Sequence, residues 1–256
     1  MAKPLITGHT GNDDTADNSL ESVYRSLALG ADAFELDVRA DREGRLILAH
    51  NPEPGKGYPD RPGLSQVFEI LREHPGVRIN CDVKEEPLPL EVVRLAREYG
   101  IGPERLILTG LVSLPFLAEH PELTEQAAVY LNLENILEEP YLNPPEGDAA
   151  RGLLPGREEY YANPWKYLLR DIPDIGPWSE LILRTWRETG TAGVNFPFRI
   201  LPDPVLDNLL GEGLPVSVWT VNEEKEIRRF LSRSIENLTT RNVRTARLVR
   251  KELLGF

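Results

Sequence analysis

Strand-like and helix-like segments alternate along almost the whole chain of 256 residues. Short apolar runs predict eight strands, at 5–9, 33–38, 78–84, 105–109, 127–133, 192–196, 216–221 and 236–240. Amphipathic patterns between most of them predict helices at 19–29, 64–74, 89–99, 114–120, 203–211, 223–233 and 242–254. Eight strands alternating with helices over about 250 residues are typical of a (β/α)8 TIM barrel. The sequence therefore predicts an α/β fold of this class.

One segment interrupts the alternation. Residues 134–178 are rich in proline and aromatic residues and follow the fifth predicted strand of the barrel. An insertion at this point starts on the face where TIM barrels place their active sites, so it is either a lid, a subunit contact or a loop that packs its aromatic residues on the barrel. No linker or internal repeat divides the chain. We therefore expect residues 1–256 to form one domain that carries an insertion.

Carboxylates follow the period of two on two of the predicted strands. Glu35 and Asp37 point to one side of their strand, away from the apolar Phe34 and Leu36. On the next barrel strand, Asp82 and Lys84 share one face by the same rule. If the two inner faces coincide, Glu35, Asp37 and Asp82 form a cluster of three carboxylates inside the barrel mouth.

Two interpretations of this acidic cluster remain open from the pattern itself. All-oxygen ligands suit one hard divalent cation, Mg²⁺ or Ca²⁺, and Lys84 would then stand beside the ion as a charge for an anion. Alternatively, Lys84 and the carboxylates form a salt-bridge network inside the barrel. Burying two adjacent carboxylates without a partner costs several kcal/mol, so both interpretations require a positive charge between them.

The four histidines fall into two pairs. His74 and His120 each precede a proline at a predicted helix end, which is typical of structural or solvated histidines. His9 and His50 instead end short apolar runs, at the strand ends where a barrel places its chemistry. A pair of histidines that flanks an acidic cluster is suited to general acid and base catalysis near neutral pH.

Composition limits the partners. The 29 basic and 41 acidic residues give a formal net charge of −12, and no basic block occurs, which disfavours nucleic-acid binding. No apolar run is long enough for stable membrane insertion, and the N-terminus lacks the apolar core of a signal peptide. The single cysteine, Cys81, has no disulfide partner within the chain. We therefore expect a cytoplasmic protein with a small-molecule partner, and homo-oligomer formation stays open.

At these residues the chain resembles the glycerophosphodiester phosphodiesterases. That family carries His-Arg-Gly, Pro-Glu-Asn-Thr, Glu-x-Asp, His-Asp and Glu-x-Lys motifs in this order. The counterparts here are His9-Thr10-Gly11, Ala16-Asp17-Asn18-Ser19, Glu35-Leu36-Asp37, His50-Asn51 and Asp82-Val83-Lys84. Toward the other end, Val218-Trp219-Thr220-Val221-Asn222 and Leu238-Thr239-Thr240-Arg241 resemble the last two strands of the family. The resemblance spans nearly the whole barrel and is weakest over residues 110–190.

The resemblance implies a metal-dependent hydrolase that splits glycerophosphodiesters into sn-glycerol 3-phosphate and an alcohol. It implies that His9 and His50 are the general acid and base, and that one Mg²⁺ or Ca²⁺ ion is the cofactor. The implied metal ligands are Glu35, Asp37 and Asp82. The implied substrate-binding residues are Lys84, Trp219, Thr10 and Asn51.

Four of the departures from the family motifs bear on the chemistry of the site. Thr10 replaces the arginine of the first motif, and Asn51 replaces the aspartate of the fourth, while Asp17 and Asp82 are each one methylene shorter than glutamate. Threonine cannot hold a phosphate by two parallel hydrogen bonds as arginine does. If another arginine binds the phosphate instead, the candidates in the loops at strand ends are Arg39, Arg151, Arg157 and Arg199. Two alternative functions stay open beside glycerophosphodiester hydrolysis. One is a barrel that binds a phosphorylated metabolite with weak or no turnover, and the other is phospholipase-type cleavage of a lysolipid.

Overall fold

A closed barrel of parallel strands forms the centre of the computed structural model, which describes residues 3–52, 61–142 and 175–255. Over these ranges the strands are β1 (Leu5–Gly8), β2 (Ala33–Ala40), β3 (Leu46–Leu48), β4 (Arg78–Val83), β5 (Leu106–Gly110), β6 (Ala128–Asn132), β7 (Gly193–Pro197), β8 (Val216–Trp219) and β9 (Asn237–Thr240). Each barrel strand pairs in parallel with its neighbours, and the pairing of β1 with β2 closes the ring. The short β3 runs antiparallel to β2 outside the ring.

Helices surround this barrel. They are α1 (Leu20–Ala28), α2 (Leu64–Arg72), α3 (Leu88–Glu98), α4 (Leu114–Glu119), α5 (Leu123–Gln126), α6 (Leu133–Leu142), α7 (Ser179–Thr189), α8 (Asp203–Gly211), α9 (Glu224–Leu231) and α10 (Val243–Leu254). Some begin at a side-chain cap, because Ser19 accepts a hydrogen bond from the Ser22 amide and Ser113 accepts one from the Phe116 amide. Within the described residues, no helix is both long enough and apolar enough to span a bilayer.

The predicted (β/α)8 barrel is confirmed. All eight predicted strands and all seven predicted helices are present, with ends that differ by a few residues at most. Helices α5, α6 and α7 were not predicted. The α6 helix begins at Leu133 and occupies the start of the predicted 134–178 insertion, but residues 143–174 lie outside the described residues. The insertion therefore stays a prediction, with its three interpretations as a lid, a subunit contact or a packed loop. The assignment of one domain also stays a prediction.

The alternation of side chains separates the apolar layer from the barrel interior. On β2 and β4, Phe34, Leu36, Cys81 and Val83 are buried between the strands and the surrounding helices. The other face of the strands carries polar side chains. Five of these form a chain of hydrogen bonds across the interior, comprising Thr7, Asn237, Ser217, Asn195 and Asn132. Because each buried amide or hydroxyl in this chain has a partner, the polar interior avoids most of the desolvation cost.

Candidate active site

The register of the strands places the predicted site residues at one end of the barrel. Asp37 pairs directly with Asp82 across β2 and β4, and the His9 amide donates to the Thr240 carbonyl at the end of β9. These positions are the carboxyl ends of parallel strands, where barrels of this class carry their chemistry. The structure therefore brings strand-end groups from β1, β2, β4 and β9 to a common mouth.

Glu35 is buried on the inner face of β2. Its Oε2 accepts a hydrogen bond of 3.1 Å from the Thr10 amide and lies 3.8 Å from His9 Nε2. Burial raises the pKa of Glu35 to about 7; His9 opposes the rise, whereas Asp37 and Asp82 add to it. A cation bound beside this buried carboxyl group would lower its pKa again and favour the charged carboxylate.

Asp37 and Asp82 share one lysine. The Lys84 ammonium lies 2.7 Å from Asp37 Oδ1 and 3.0 Å from Asp82 Oδ2. Burial opposes the charge of Asp37, but Lys84 and a 2.8 Å hydrogen bond from the Asn18 amide group lower its pKa overall. Burial raises the pKa of Asp82 despite the same lysine. Lys84 itself has a raised pKa, because Asp82 and Asp37 outweigh the effect of burial.

These carboxylates can hold a divalent cation. One oxygen from each of Glu35, Asp37 and Asp82 lies within 4.8 Å of the others. Asp82 Oδ1 is buried and has no hydrogen-bond partner among the described residues. Three carboxylates facing one ammonium also leave an excess of negative charge. The lysine network thus exists, as the second interpretation expected, but it leaves Glu35 and one Asp82 oxygen without a lysine partner. Oxygen-only ligands of this kind suit Mg²⁺ or Ca²⁺.

Both strand-end histidines are anchored through Nδ1. His9 Nδ1 lies 2.7 Å from the Thr10 carbonyl, and His50 Nδ1 lies 2.8 Å from Asn51 Oδ1. Because these oxygens can only accept, Nδ1 carries the proton in each ring and Nε2 is left as the acceptor. His50 is exposed, yet it is near enough to Asp37 to lower the pKa of that carboxyl group.

The remaining predicted substrate-binding residues occupy different surroundings. Trp219 ends β8 and is partly buried, opposite Pro197 of β7. Asn51 is exposed beside His50. Thr10 is buried, and its hydroxyl accepts a hydrogen bond from the Asn18 amide, so it supports the loop before α1. Their roles toward a substrate stay predictions.

Two residues of this mouth were not singled out as site residues from the sequence. The side chain of Asn18 makes two hydrogen bonds with Asp37. Its Nδ2 donates to the Asp37 carboxylate, and its Oδ1 accepts from the Asp37 backbone amide. Glu134 lies in the first turn of α6, directly after the carboxyl end of β6, and its Oε1 accepts a 2.9 Å hydrogen bond from Asn132. Its Oε2 is buried without a described partner. Its position just after a predicted strand could have identified Glu134, but the residue was assigned to the predicted insertion.

His74 and His120 lie away from this mouth. His74 follows the end of α2, and His120 caps α4, where its ring packs on Phe116 and lies 3.6 Å from Glu122. Helix ends that lead into the next strand belong to the opposite end of a βα barrel. The division of the four histidines into two pairs is therefore also a division in space.

Known proteins share this fold and chain length. A glycerophosphodiester phosphodiesterase from Caldanaerobacter subterraneus subsp. tengcongensis is 22% identical over 267 residues, covering 97% of this chain and 99% of its own length. A glycerophosphodiester phosphodiesterase from Agrobacterium tumefaciens, solved by crystallography, superimposes with a TM-score of 0.66 at 14% identity, covering 97% and 99% of the two chains. No family model matches the chain.

A further solved structure holds a ligand. It is an Oleispira antarctica phosphodiesterase in complex with the product sn-glycerol-3-phosphate, with a TM-score of 0.64 and 14% identity over 96% of each chain. At this identity, the likeness to solved structures establishes the shared barrel. The full-length coverage indicates that the similarity includes both ends of the chain.

Proposed function

We propose that this chain is a member of the glycerophosphodiester phosphodiesterase family and that it hydrolyses glycerophosphodiesters to sn-glycerol 3-phosphate and an alcohol, as its similarity to a phosphodiesterase of that name supports. The observation that carries the proposal is the arrangement of His9 and His50 around the acidic cluster. Each histidine has Nδ1 anchored and Nε2 available, at the mouth that also holds Glu35, Asp37 and Asp82. Hydrolysis of a phosphoric diester needs a proton acceptor for the attacking oxygen, a proton donor for the leaving oxygen and positive charge near the phosphate.

The two histidines supply the proton transfers. One Nε2 accepts a proton from the attacking oxygen, and the other imidazole, in its protonated form, donates one to the leaving alcohol oxygen. For His9, Nε2 lies 3.8 Å from Glu35 Oε2, so the ring faces the acidic cluster. For His50, the neutral Asn51 fixes the tautomer without adding a charge. Either histidine can take either role.

The acidic cluster and Lys84 supply the charge environment. Glu35, Asp37 and Asp82 would hold one Mg²⁺ or Ca²⁺ ion, and the orphaned Asp82 Oδ1 fits such an ion. When bound, the ion would offset the negative charge of the phosphate and polarise its oxygens. Lys84 adds a fixed positive charge beside the same carboxylates. Trp219 at the end of β8 lines the side of the mouth that receives the glycerol moiety.

The proposal extends to the setting of the enzyme. It acts on a small-molecule substrate rather than on nucleic acid, consistent with the net charge of −12. It acts in the cytoplasm, where the buried, unpaired Cys81 stays reduced. Homo-oligomer formation is an open part of the proposal.

A second candidate function is a barrel that binds a phosphorylated metabolite with weak turnover. One observation favours it: the residue that replaces the family's first-motif arginine, Thr10, is buried with its hydroxyl engaged by the Asn18 amide. Phospholipase-type cleavage of a lysolipid would use the same histidines and carboxylates on a different alcohol.

The deciding experiment is an assay of the purified chain on glycerophosphocholine and on a lysophosphatidylcholine, with EDTA and with added Mg²⁺ or Ca²⁺. We expect metal-dependent release of sn-glycerol 3-phosphate from the first substrate. Binding of sn-glycerol 3-phosphate without turnover would favour the second candidate. Preferential cleavage of the lysolipid would replace the proposed substrate while keeping the chemistry.

A further inference from the structure

Arg241 lies beside His9 at the barrel mouth. On the strands β1 and β9, Gly8 pairs with Thr240, and the His9 amide donates to the Thr240 carbonyl. Continuing this register by one residue sets Arg241 next to His9. Neighbouring strands are about 5 Å apart, and residues two apart share a face. Arg241 is the first residue after β9, and the alternation of the strand assigns it to the face of Asn237 and Thr239, on the β9 side of His9.

The backbone and side chain of Arg241 are both held in place. Its amide donates to Asn222 Oδ1 at 2.8 Å, and its carbonyl accepts from the Asp13 amide at 2.8 Å. Its Nη2 lies 2.9 Å from Asp17 Oδ1. Its Nη1 lies 3.2 Å from the position that a Cβ on Gly11 would occupy. The guanidinium therefore packs against Gly11, in the loop that follows His9 and Thr10.

The contacts of Arg241 leave donors for a ligand. The side chain is 43% exposed, and Asp17 engages one nitrogen of the guanidinium, which carries five N–H donors. Among the described residues, no other side chain pairs with this guanidinium. An ion pair on one edge fixes the orientation of the planar group, while the remaining donors stay open to a planar or tetrahedral anion.

The other candidate replacements for the missing arginine are less suitable. Arg39 donates from Nε to the His50 carbonyl at 2.9 Å, and its Nη1 lies 3.8 Å from Glu85. Arg199 stacks on the Phe198 ring, 5.0 Å from its centroid. Arg151 and Arg157 lie outside the described residues. Arg39 thus spends its donors on the His50 backbone and on Glu85, whereas the guanidinium of Arg241 is engaged by Asp17 alone among the described side chains.

We propose that Arg241 binds the phosphate group of the substrate from the β9 side, in place of the arginine that Thr10 replaces in the first motif. The inference rests on the proposed function for its substrate, and it adds a specific phosphate-binding residue to it. In this arrangement Asp17 is a positioning residue: its carboxylate holds the guanidinium over Gly11, next to His9. Lys84 and Arg241 then bring positive charge to the phosphate from β4 and from β9.

The test compares Arg241→Gln and Arg241→Lys with a matched control, Arg187→Gln. Arg187 is an exposed arginine of α7 that also forms one ion pair, with Glu212 at 2.7 Å. Isothermal titration calorimetry of sn-glycerol 3-phosphate, with glycerol as the phosphate-free probe, measures binding independently of turnover. Steady-state hydrolysis of glycerophosphocholine measures KM and kcat.

We expect Arg241→Gln to weaken sn-glycerol 3-phosphate binding and raise KM by about ten- to hundredfold, the range that charged hydrogen bonds support. Arg241→Lys recovers part of the loss, because an ammonium restores the charge but not the paired donors. Arg187→Gln stays within about twofold of the wild type. The exposed position of Arg241 keeps the variants folded, which thermal unfolding verifies.

The outcomes separate this inference from the proposed function. If the wild type binds sn-glycerol 3-phosphate in an Arg241-dependent manner but does not hydrolyse the diester, the hydrolase proposal fails and the phosphate site stands. If the wild type hydrolyses the diester and Arg241→Gln leaves KM and binding unchanged, the assignment of Arg241 is wrong. Failure of the wild type to bind any of the phosphate compounds overturns both.

Discussion

The two ends of the barrel each contain a group of interacting charged residues, and the groups are built in opposite ways. At the amino end, Asp32 accepts hydrogen bonds on both carboxylate oxygens, from Arg250, Lys3 and the Ile6 amide. At the mouth, Glu35, Asp37 and Asp82 face a single lysine, and one Asp82 oxygen has no described partner. The first group has enough positive charge for its one acid. The second has too little for its three.

The pKa values reflect this difference. Burial opposes the charge of Asp32, but the hydrogen bonds from Arg250 and Lys3 lower its pKa below the usual value. At the mouth, burial raises the pKa of Glu35 and of Glu134, to about 7 and about 8. The ion pair at the amino end leaves no carboxylate without a positive partner, whereas the excess of acid at the mouth costs stability until a cation binds. Perturbed groups of this kind are typical of functional sites.

The largest expected effect is on catalysis at the mouth. His9→Ala and His50→Ala should each lower kcat by about 10²–10⁴-fold, because each removes one proton-transfer group. Circular dichroism should show an intact fold, since His9 is partly exposed and His50 is exposed. His74→Ala is the matched control and should leave kcat nearly unchanged. Full activity of His50→Ala would contradict the acid and base assignment.

The next effect is on stability at the amino end. Arg250→Met should lower the free energy of unfolding by about 1.5–3 kcal/mol, because it removes the charged hydrogen bonds of Arg250 to the partly buried Asp32, which keeps only Lys3 and the Ile6 amide. Urea unfolding measures the loss, and kcat per folded molecule should not change.

A double-mutant cycle sharpens this result. Asp32→Asn combined with Arg250→Met should cost less than the sum of the two single changes, since neither charge is then left alone. Strictly additive costs would show that Arg250 acts through packing and its 2.6 Å hydrogen bond to the Pro4 carbonyl rather than through Asp32.

A divalent cation should act on the mouth alone. Mg²⁺ or Ca²⁺ at about 100 times its dissociation constant should stabilise the wild type by about 2.7 kcal/mol in thermal unfolding, and EDTA should reverse the gain. Glu35→Gln should lose most of this increment, because it removes one of the three carboxylates of the cluster. Arg250→Met should keep the increment although its baseline is lower. If the cation stabilised the wild type and Glu35→Gln equally, the cluster would not be the metal site, and the salt-bridge interpretation would be favoured.

The smallest expected effect is a pair of opposite pH dependences. Glu134 has a folded pKa of about 8 against an ordinary value of 4.5, so the folded state binds the proton more tightly. Its contribution to stability is present below pH 4.5 and is lost as the pH rises toward 8. Asp32 has a lowered pKa, so its contribution is present above its ordinary value of 3.8 and is lost as the pH falls below it.

Urea unfolding as a function of pH tests both signs. Glu134→Gln should remove a fall of about 1–3 kcal/mol between pH 5 and pH 8, measured in EDTA. Asp32→Asn should flatten the acid side of the curve instead. A wild-type curve that Glu134→Gln leaves unchanged would show that Glu134 is solvated in solution and takes no part in the buried group at the mouth.

Much of this molecule was accessible from its sequence. The alternation of apolar runs and amphipathic segments determined the barrel, because strands and helices bury their apolar faces with different periods. The period of two within β2 and β4 also placed Glu35, Asp37, Asp82 and Lys84 on inner faces. Local patterns of this kind are fixed by the chain itself, whatever it later contacts.

The tertiary structure decided which of these groups meet and which are engaged elsewhere. Thr10 follows His9 directly, yet its hydroxyl is used by the Asn18 amide rather than left at the mouth. Arg241 is 232 positions from His9 in the sequence, and only the closing of the barrel by β1 and β9 makes them neighbours. The register between distant strands depends on how the whole ring packs and closes, and no local pattern in the sequence encodes it.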